Sequence, residues 1–190
     1  MKAIVLFLEI QQSKIKNENI INIVRFSTPL GAMFACATEK VICLLEFTDE
    51  KRLESLLKDL QKRLNTVMLP GKNKHLTQVQ DELKEYFESK RTEFTIVLDM
   101  QGTDFRKLVW QELMTIPFGF TKTYKEQAIA LNKERAVRAV ASANGANKIN
   151  IIIPCHRVIG SNGSLTGYGG GLHRKKWLLD FEKKNMLSKS

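Results

Sequence analysis

Cysteine is scarce in this 190-residue chain: Cys36, Cys43 and Cys155 are the only three, with no CxxC spacing and no companion histidine cluster. So few ligands exclude a structural zinc site, and an odd, unmatched set argues against a disulfide framework. Reduced thiols of an intracellular protein are the expected state, with a cytoplasmic location. Long apolar runs are also missing. The opening Met1–Leu8 resembles the start of a signal peptide, but Glu9 ends it early and no small-residue cleavage site follows. A first β-strand is the expectation there, and no stretch is long enough to span a bilayer. The glycines of Thr166–Gly171 lack dinucleotide-binding spacing and the lysine of a phosphate loop. No cofactor and no metal are expected.

Acidic residues are scarce in one half only. Residues 1–100 carry 15 Lys/Arg against 14 Asp/Glu, whereas residues 101–190 carry 15 against 6, which places +9 of the net +10 in the second half. A basic half-chain suggests a phosphate-backbone partner, with a membrane surface as the weaker reading. The overall 43% hydrophobic and 26% charged content is that of an ordinary globular protein.

The pattern divides the chain into an α/β N-terminal domain, residues 1–100, and a mostly α-helical C-terminal domain, residues 101–190. In the first, Ile20–Phe26 is rich in β-branched residues, and Ala32–Ala37 and Val41–Phe47 flank Thr38-Glu39-Lys40 as in a hairpin. Leu53, Leu56, Leu57, Leu60 and Leu64 recur at helical spacing over Lys51–Leu64. Pro70-Gly71 marks a break, Gln78–Ser89 a second helix and Phe94–Leu98 a further strand. Cys36 and Cys43 lie on apolar strands, where core packing is the simpler account.

In the second, Thr103 can cap a helix with the apolar face Phe105, Leu108, Val109, Leu113 and Ile116, stopped at Pro117. Thr123-Tyr124-Lys125-Glu126 is a capping box at the head of a helix running to about Leu131. Asn132-Lys133 then turns into the basic, alanine-rich Glu134–Ala143, which ends near Asn144-Gly145. The outline is that of a helix-turn-helix, and equally of a plain αα-hairpin. The surrounding basic charge favours DNA. A final helix spans Leu172–Lys184 and carries Trp177, Leu178, Phe181 and Glu182.

Chemistry is expected at Ile151-Ile152-Ile153-Pro154-Cys155-His156-Arg157-Val158, where an apolar run stops at proline and presents a thiol, an imidazole and a guanidinium in succession. The thiolate is the reactive form of cysteine, and a neighbouring imidazole or cation can lower its pKa. Adjacent side chains on a regular strand point to opposite faces, so Cys155 and His156 can cooperate only at a turn or through a bridge, and Pro154 fits such a break.

Pro154-Cys155-His156-Arg157-Val158 after an apolar strand, followed by Gly167-Tyr168-Gly169-Gly170, resembles the O6-alkylguanine-DNA alkyltransferases. The resemblance extends over most of residues 102–182, and more loosely to Thr28-Pro29-Leu30-Gly31 in the N-terminal half. It implies a ribonuclease H-like N-terminal domain and a monomer that repairs double-stranded DNA containing O6-alkylguanine, once per molecule. Residue by residue, it implies that Cys155 is the alkyl acceptor, that His156 relays a proton and that Glu182 orients the imidazole. Tyr124 would donate a hydrogen bond to the departing guanine, and Asn147 would brace the turn between helix pair and cysteine. Arg138 would fill the gap left by a flipped nucleotide, with Arg135 beside it, while Ala136 and Ala139 let the helix approach the minor groove. Val158 and Gly169 would offer backbone groups to the base, and Tyr168 would wall the pocket. Many relatives carry proline where this chain has Lys148 and Asn150. Two other readings stand beside this one: a non-catalytic DNA-binding protein using the helix pair alone, and a thiol hydrolase built on Cys155 and His156.

Overall fold

A computed structural model describes residues 19–48 and 50–187. The chain folds as two units, one ending at Asp99 and the other beginning at Met100. The β-strand expected over residues 1–8 lies outside the described residues.

The first unit is an α/β domain built on a four-stranded sheet. Strand β1 (Asn19–Thr28) pairs antiparallel with β2 (Gly31–Ala37), and β2 pairs antiparallel with β3 (Ile42–Phe47). The β1–β2 turn is tied by Thr28, whose hydroxyl donates to Gly31 O at 2.6 Å and accepts from Leu30 N at 3.2 Å. Gly31, at φ 110°, supplies a conformation that other residues rarely adopt. Helix α1 (Glu50–Leu64) buries Leu53, Leu57 and Leu60 against Ile21, Ile23, Phe34, Cys36, Leu44 and Met68. The spacing read from the sequence is thus the face that packs.

Strand β4 (Thr66–Pro70) runs parallel to β1 and completes the order β3-β2-β1-β4. The sequence signal for it was weak, because five residues ending in proline read as a break. Proline is tolerated there because β4 lies at the sheet edge, where one side of the strand needs no donor. Helix α2 (Lys74–Phe87) starts four residues before the expected Gln78, since Asn73 caps it by accepting from Leu76 N at 2.9 Å. The expected strand Phe94–Leu98 is not a strand. It bridges β3 only at Ile42, through Ile42 N to Val97 O at 3.0 Å and Asp99 N to Ile42 O at 2.8 Å. Ile42 is the first residue of β3, so the segment passes the strand's end and pairing stops. Cys36 and Cys43 are buried. Burial raises both thiols, Cys43 to about 12, which leaves them inert packing groups.

The second unit is helical. Helix α3 (Asp104–Leu113) is capped by Thr103, which accepts from Arg106 N. Its buried side is Val109, Trp110 and Leu113, continued by Ile116, whereas Leu108 is 42% exposed and Phe105 half-buried. Trp110 replaces them because its indole N–H reaches Ala143 O at 2.8 Å, which swings the packed face round. Thr123 heads helix α4 (Tyr124–Ala130) with a complete capping box: Thr123 Oγ1 accepts from Glu126 N, and Glu126 accepts from Thr123 N. The chain reverses at Asn132, φ 54°, and passes through the 3₁₀ turn Glu134–Ala136 into helix α5 (Val137–Gly145).

A buried amide pair fastens α4 to α5. Asn144 Nδ2 donates to Gln127 Oε1 at 2.7 Å, while Gln127 Nε2 reaches Val109 O of α3 at 3.3 Å. The two-residue strands β5 (Lys122–Thr123) and β6 (Val158–Ile159) pair in parallel, and helix α6 (Leu172–Leu187) closes the unit.

The apolar strand expected before Pro154 is absent. Ile151, Ile152 and Ile153 are all buried, but in a turn: Ile153 N bonds Ile149 O at 3.1 Å, Ile152 N bonds Asn150 O at 2.9 Å, and Ile151 stands at φ 71°. Burial on every side, not pairing, is what this β-branched run supplies.

Replacing one member of the buried amide pair leaves the other unsatisfied. Asn144→Leu is expected to destabilise the second unit by about 1–3 kcal/mol. Adding Gln127→Leu to that variant should cost less than it does in the unaltered protein. Urea denaturation of the four proteins checks this, and strictly additive losses would contradict the coupling.

Candidate active site

The turn that follows the isoleucines is held by one side chain. Asn147 Oδ1 accepts from Ile149 N at 2.9 Å, and its Nδ2 donates to Ile153 O at 2.9 Å and lies 3.2 Å from Cys155 Sγ. Asn147 is buried and follows α5 directly, so it ties the end of that helix to the thiol. Cys155 opens a 3₁₀ turn, Cys155–Arg157, after Pro154, and is itself buried. This is the break that cooperation between neighbouring side chains requires.

His156 and Arg157 both reach Glu182 of α6. His156 Nε2 lies 2.9 Å from Glu182 Oε1; Arg157 donates from Nε to Oε2 at 2.9 Å and from Nη2 to Oε1 at 3.0 Å. Gly119 N completes the set by donating to Oε2 at 3.0 Å. Gly119 adopts φ 80°, and a side chain there would strike Met186 of α6, so only glycine brings this N–H to the carboxylate. Burial alone would push Glu182 up. The His156 and Arg157 contacts outweigh it and hold the carboxyl well below its usual range.

His156 is fully buried, and that burial lowers its pKa despite the opposing pull of Glu182. A neutral imidazole facing an ionised carboxylate carries its proton on Nε2, which leaves Nδ1 as an acceptor. Nδ1 is a buried atom with no hydrogen-bond partner among the described residues. The Tyr168 ring stands edge-on to the imidazole at 6.3 Å.

A second arm comes from Lys175 of α6, whose side chain is buried. Its Nζ donates to Val158 O at 2.6 Å and Thr166 O at 2.7 Å and lies 5.8 Å from the centre of the Tyr124 ring. Burial lowers its pKa to about 8, against an opposing pull from Cys155. The Tyr124 hydroxyl donates to the same Thr166 O at 3.0 Å. Burial raises Tyr124, the Cys155 charge adds to that, and the Thr166 hydrogen bond opposes it, so the phenol stays a donor. Gly167, at φ 53°, makes the turn just after this shared carbonyl.

Of the residues singled out in the sequence, Asn147 and Cys155 therefore form one hydrogen-bonded pair and His156 and Glu182 another, the two joined through the backbone of the 3₁₀ turn, with the Tyr168 ring beside the imidazole. Val158 lies in β6; its carbonyl already accepts from Lys175, which leaves one lone pair. Gly169 is half-buried in the turn before α6. Arg135, Arg138 and Ala139 are exposed and Ala136 half-buried, across the 3₁₀ turn and the first turn of α5. The two arginines make no ion pair among the described residues and do not belong to the buried group.

Sequence reasoning missed two members. Arg157 reads as a cation for the neighbouring thiol, but its guanidinium is committed to Glu182 and to Ile116 O at 2.6 Å. Lys175 carried a signal: it lies three residues before Leu178 and seven before Glu182, all on one face of α6 and all buried. No group of three or more His, Cys, Asp or Glu that could hold a metal occurs among the described residues, and no helix there is long and apolar enough to cross a membrane.

Comparison with known proteins places this geometry in context. Residues 104–184 match the model of the 6-O-methylguanine DNA methyltransferase DNA binding domain, and residues 25–100 that of the ribonuclease-like domain of the same family. A methylated-DNA–protein-cysteine methyltransferase of Methanosarcina barkeri is 41% identical over 160 residues, 84% of this chain and 95% of the relative. One from Mycobacterium tuberculosis is 54% identical over 103 residues, 54% of this chain, and the match spans only 62% of that relative's length. The crystal structure of Mycobacterium tuberculosis OGT in complex with DNA matches with a TM-score of 0.73 at 38% identity, over 87% of this chain and 94% of that one.

Glu182 makes a stability prediction with a defined sign. Its carboxyl is a stronger acid folded than unfolded, so its contribution is present above the ordinary value of 4.5 and is lost as pH falls below it. Burial makes His156 a weaker base when folded, so below 6.5 the unfolded chain takes the proton first and stability also falls. Glu182→Gln strands the buried Arg157 charge and is expected to cost about 3–5 kcal/mol at neutral pH. Below pH 4.5 its stability should fall less steeply than that of the unaltered protein. Urea titrations followed through Trp110 and Trp177, the only two tryptophans and both in the second unit, test this; equal slopes would contradict it.

Proposed function

The chain belongs to the 6-O-methylguanine DNA methyltransferase family, and from that premise we propose that it repairs O6-alkylguanine in double-stranded DNA by moving the alkyl group onto Cys155. The observation that carries this reading is the unpartnered Nδ1 of a buried, carboxylate-held His156 next to Cys155.

The thiol proton passes to His156 Nδ1, with one bridging water as the natural link between neighbouring residues of a 3₁₀ turn. The sulfur then attacks the alkyl carbon, an S–C bond forms, and the C–O6 bond breaks. Negative charge developing on the departing guanine is met by the Tyr124 hydroxyl, released from Thr166 O for this purpose; the guanine takes a proton from water as it leaves, and the proton held by His156 returns to water. Glu182 fixes the tautomer that makes Nδ1 the base. Asn147 holds the sulfur against the turn. Lys175 supplies positive charge close to the nascent thiolate. The product thioether is not readily hydrolysed, so Cys155 is spent after one transfer.

Reaching O6 requires the base to leave the helix stack. The helix pair α4–α5 supports a helix-turn-helix reading, with α5 approaching the minor groove across the small Ala136 and Ala139. Arg138, exposed and without an ion pair among the described residues, would fill the gap left by the flipped nucleotide, and Arg135 would meet the phosphate backbone. Val158, Gly169 and Tyr168 would contact the extruded base. Residues 101–190 then form the DNA-binding and acceptor domain, residues 1–100 a ribonuclease H-like domain, and the protein acts in the cytoplasm as a monomer.

Incubation with excess duplex DNA bearing O6-methylguanine is expected to add one methyl mass to the Cys155 peptide and to repair one lesion per protein molecule, then stop. Cys155→Ala should bind the DNA and repair nothing. Repair by Cys155→Ala, continued turnover, or an unmodified Cys155 peptide with intact lesions would each overturn the proposal.

A further inference from the structure

Glu182 is shared, and the sharing has a consequence for the base. The donors to its two oxygens include His156 Nε2, Arg157 Nε and Nη2, and Gly119 N. His156 and Arg157 are consecutive, and the 3₁₀ turn brings both onto the one carboxylate. Arg157 is itself buried, anchored by Nη1 to Ile116 O at 2.6 Å and lying 6.0 Å from the centre of the Phe118 ring.

We infer that Arg157 is a positioning residue for the proton relay, one that keeps His156 a neutral base by balancing the charge of Glu182. The argument is a count of buried charge. Guanidinium, carboxylate and neutral imidazole sum to zero. Protonating the imidazole would leave a net positive charge in a buried site, which is costly. Without the guanidinium the balance shifts by one charge: only Lys175 is left to oppose the carboxylate, and protonating the imidazole becomes easier. A histidine paired with a buried carboxylate and no guanidinium would be protonated more readily, and the protonated ring has nothing to accept from a thiol. Arginine suits the task because it stays charged at any pH the protein meets and grips a carboxylate through two parallel bonds.

The other groups facing the imidazole act with Arg157 or not at all. Lys175, on α6, adds positive charge and disfavours protonation further, while Glu182 on the same helix favours it. The Tyr168 ring is edge-on. Cys155, on the same turn, is the group whose proton is to be taken.

The catalytic meaning of this inference rests on the alkyl-transfer reading, but its test needs no DNA and so fails or succeeds separately. The His156 ring is titrated by NMR in the whole protein, with His75 and His173, the other two histidines, as internal references. In the unaltered protein His156 is expected to titrate below 6.5, its ordinary value. In Arg157→Gln its midpoint should rise by about one pH unit or more, a tenfold or greater gain in proton affinity. Arg157→Lys, which keeps the charge, should restore most of the original value. In a methyl-transfer assay the acid limb of the rate profile should move up by the same amount in Arg157→Gln. A purely structural role for Arg157 would lower stability and rate at every pH without moving either midpoint. That outcome overturns the inference, as does an Arg157→Lys value matching Arg157→Gln. If Arg157→Gln does not fold, Arg157→Met is titrated in its place and read by the same shift, and a midpoint at or above 6.5 in the unaltered protein overturns the inference.

Discussion

The buried carboxylate of Glu182 is the constraint on which the second unit depends. A buried, ionised carboxylate needs donors on both oxygens, and the donors here come from two distant segments of the chain. Gly119 brings in the loop after α3, His156 and Arg157 bring in the cysteine turn, and α6 supplies the acid itself. The carboxylate is therefore a tether as well as a chemical group. Such a pair adds little net stability over a well-packed apolar contact, yet breaking it from one side is expensive. What it secures is geometry: a histidine with a fixed tautomer, next in sequence to a thiol, whose Nδ1 has no hydrogen-bond partner among the described residues.

Asn147 performs the complementary task with a neutral side chain. A cysteine on a regular strand would place its neighbour on the opposite face. The chain avoids this by turning between α5 and β6, and Asn147 takes up the backbone groups that a ladder would otherwise satisfy. Ile151 pays a backbone cost there, since a β-branched residue at φ 71° is strained. The price is tolerated because three isoleucine side chains bury together just before the cysteine. Asn147 also follows α5 directly, so any displacement of that helix is passed to the sulfur through one side chain.

The sequence was most legible where a local rule decides the structure. The Thr123–Glu126 capping box, the leucine spacing of α1 and the hairpin of β2 and β3 all needed only near neighbours. Legibility failed where a distant partner decides. Ile151–Ile153 have strand composition but fold into a turn, held by Asn147 through Ile149 N on one side and Ile153 O on the other. Phe94–Leu98 finds only the end of β3 and does not pair further. At the site, Cys155, His156, Glu182, Asn147 and Tyr124 were identifiable through resemblance to a family. Arg157 was misread as serving the thiol, because charge next to a cysteine in sequence says nothing of where a long side chain ends. Lys175 was hidden among the basic residues of α6, although its seven-residue spacing from Glu182 put both on one helix face.

The central claim is that His156 is a neutral base with its proton on Nε2 and a bare Nδ1 toward the cysteine turn. Nitrogen-15 chemical shifts of the His156 ring at neutral pH measure this most directly. The account predicts a protonated Nε2 and an unprotonated Nδ1. A doubly protonated ring, or a proton on Nδ1 alone, would contradict it.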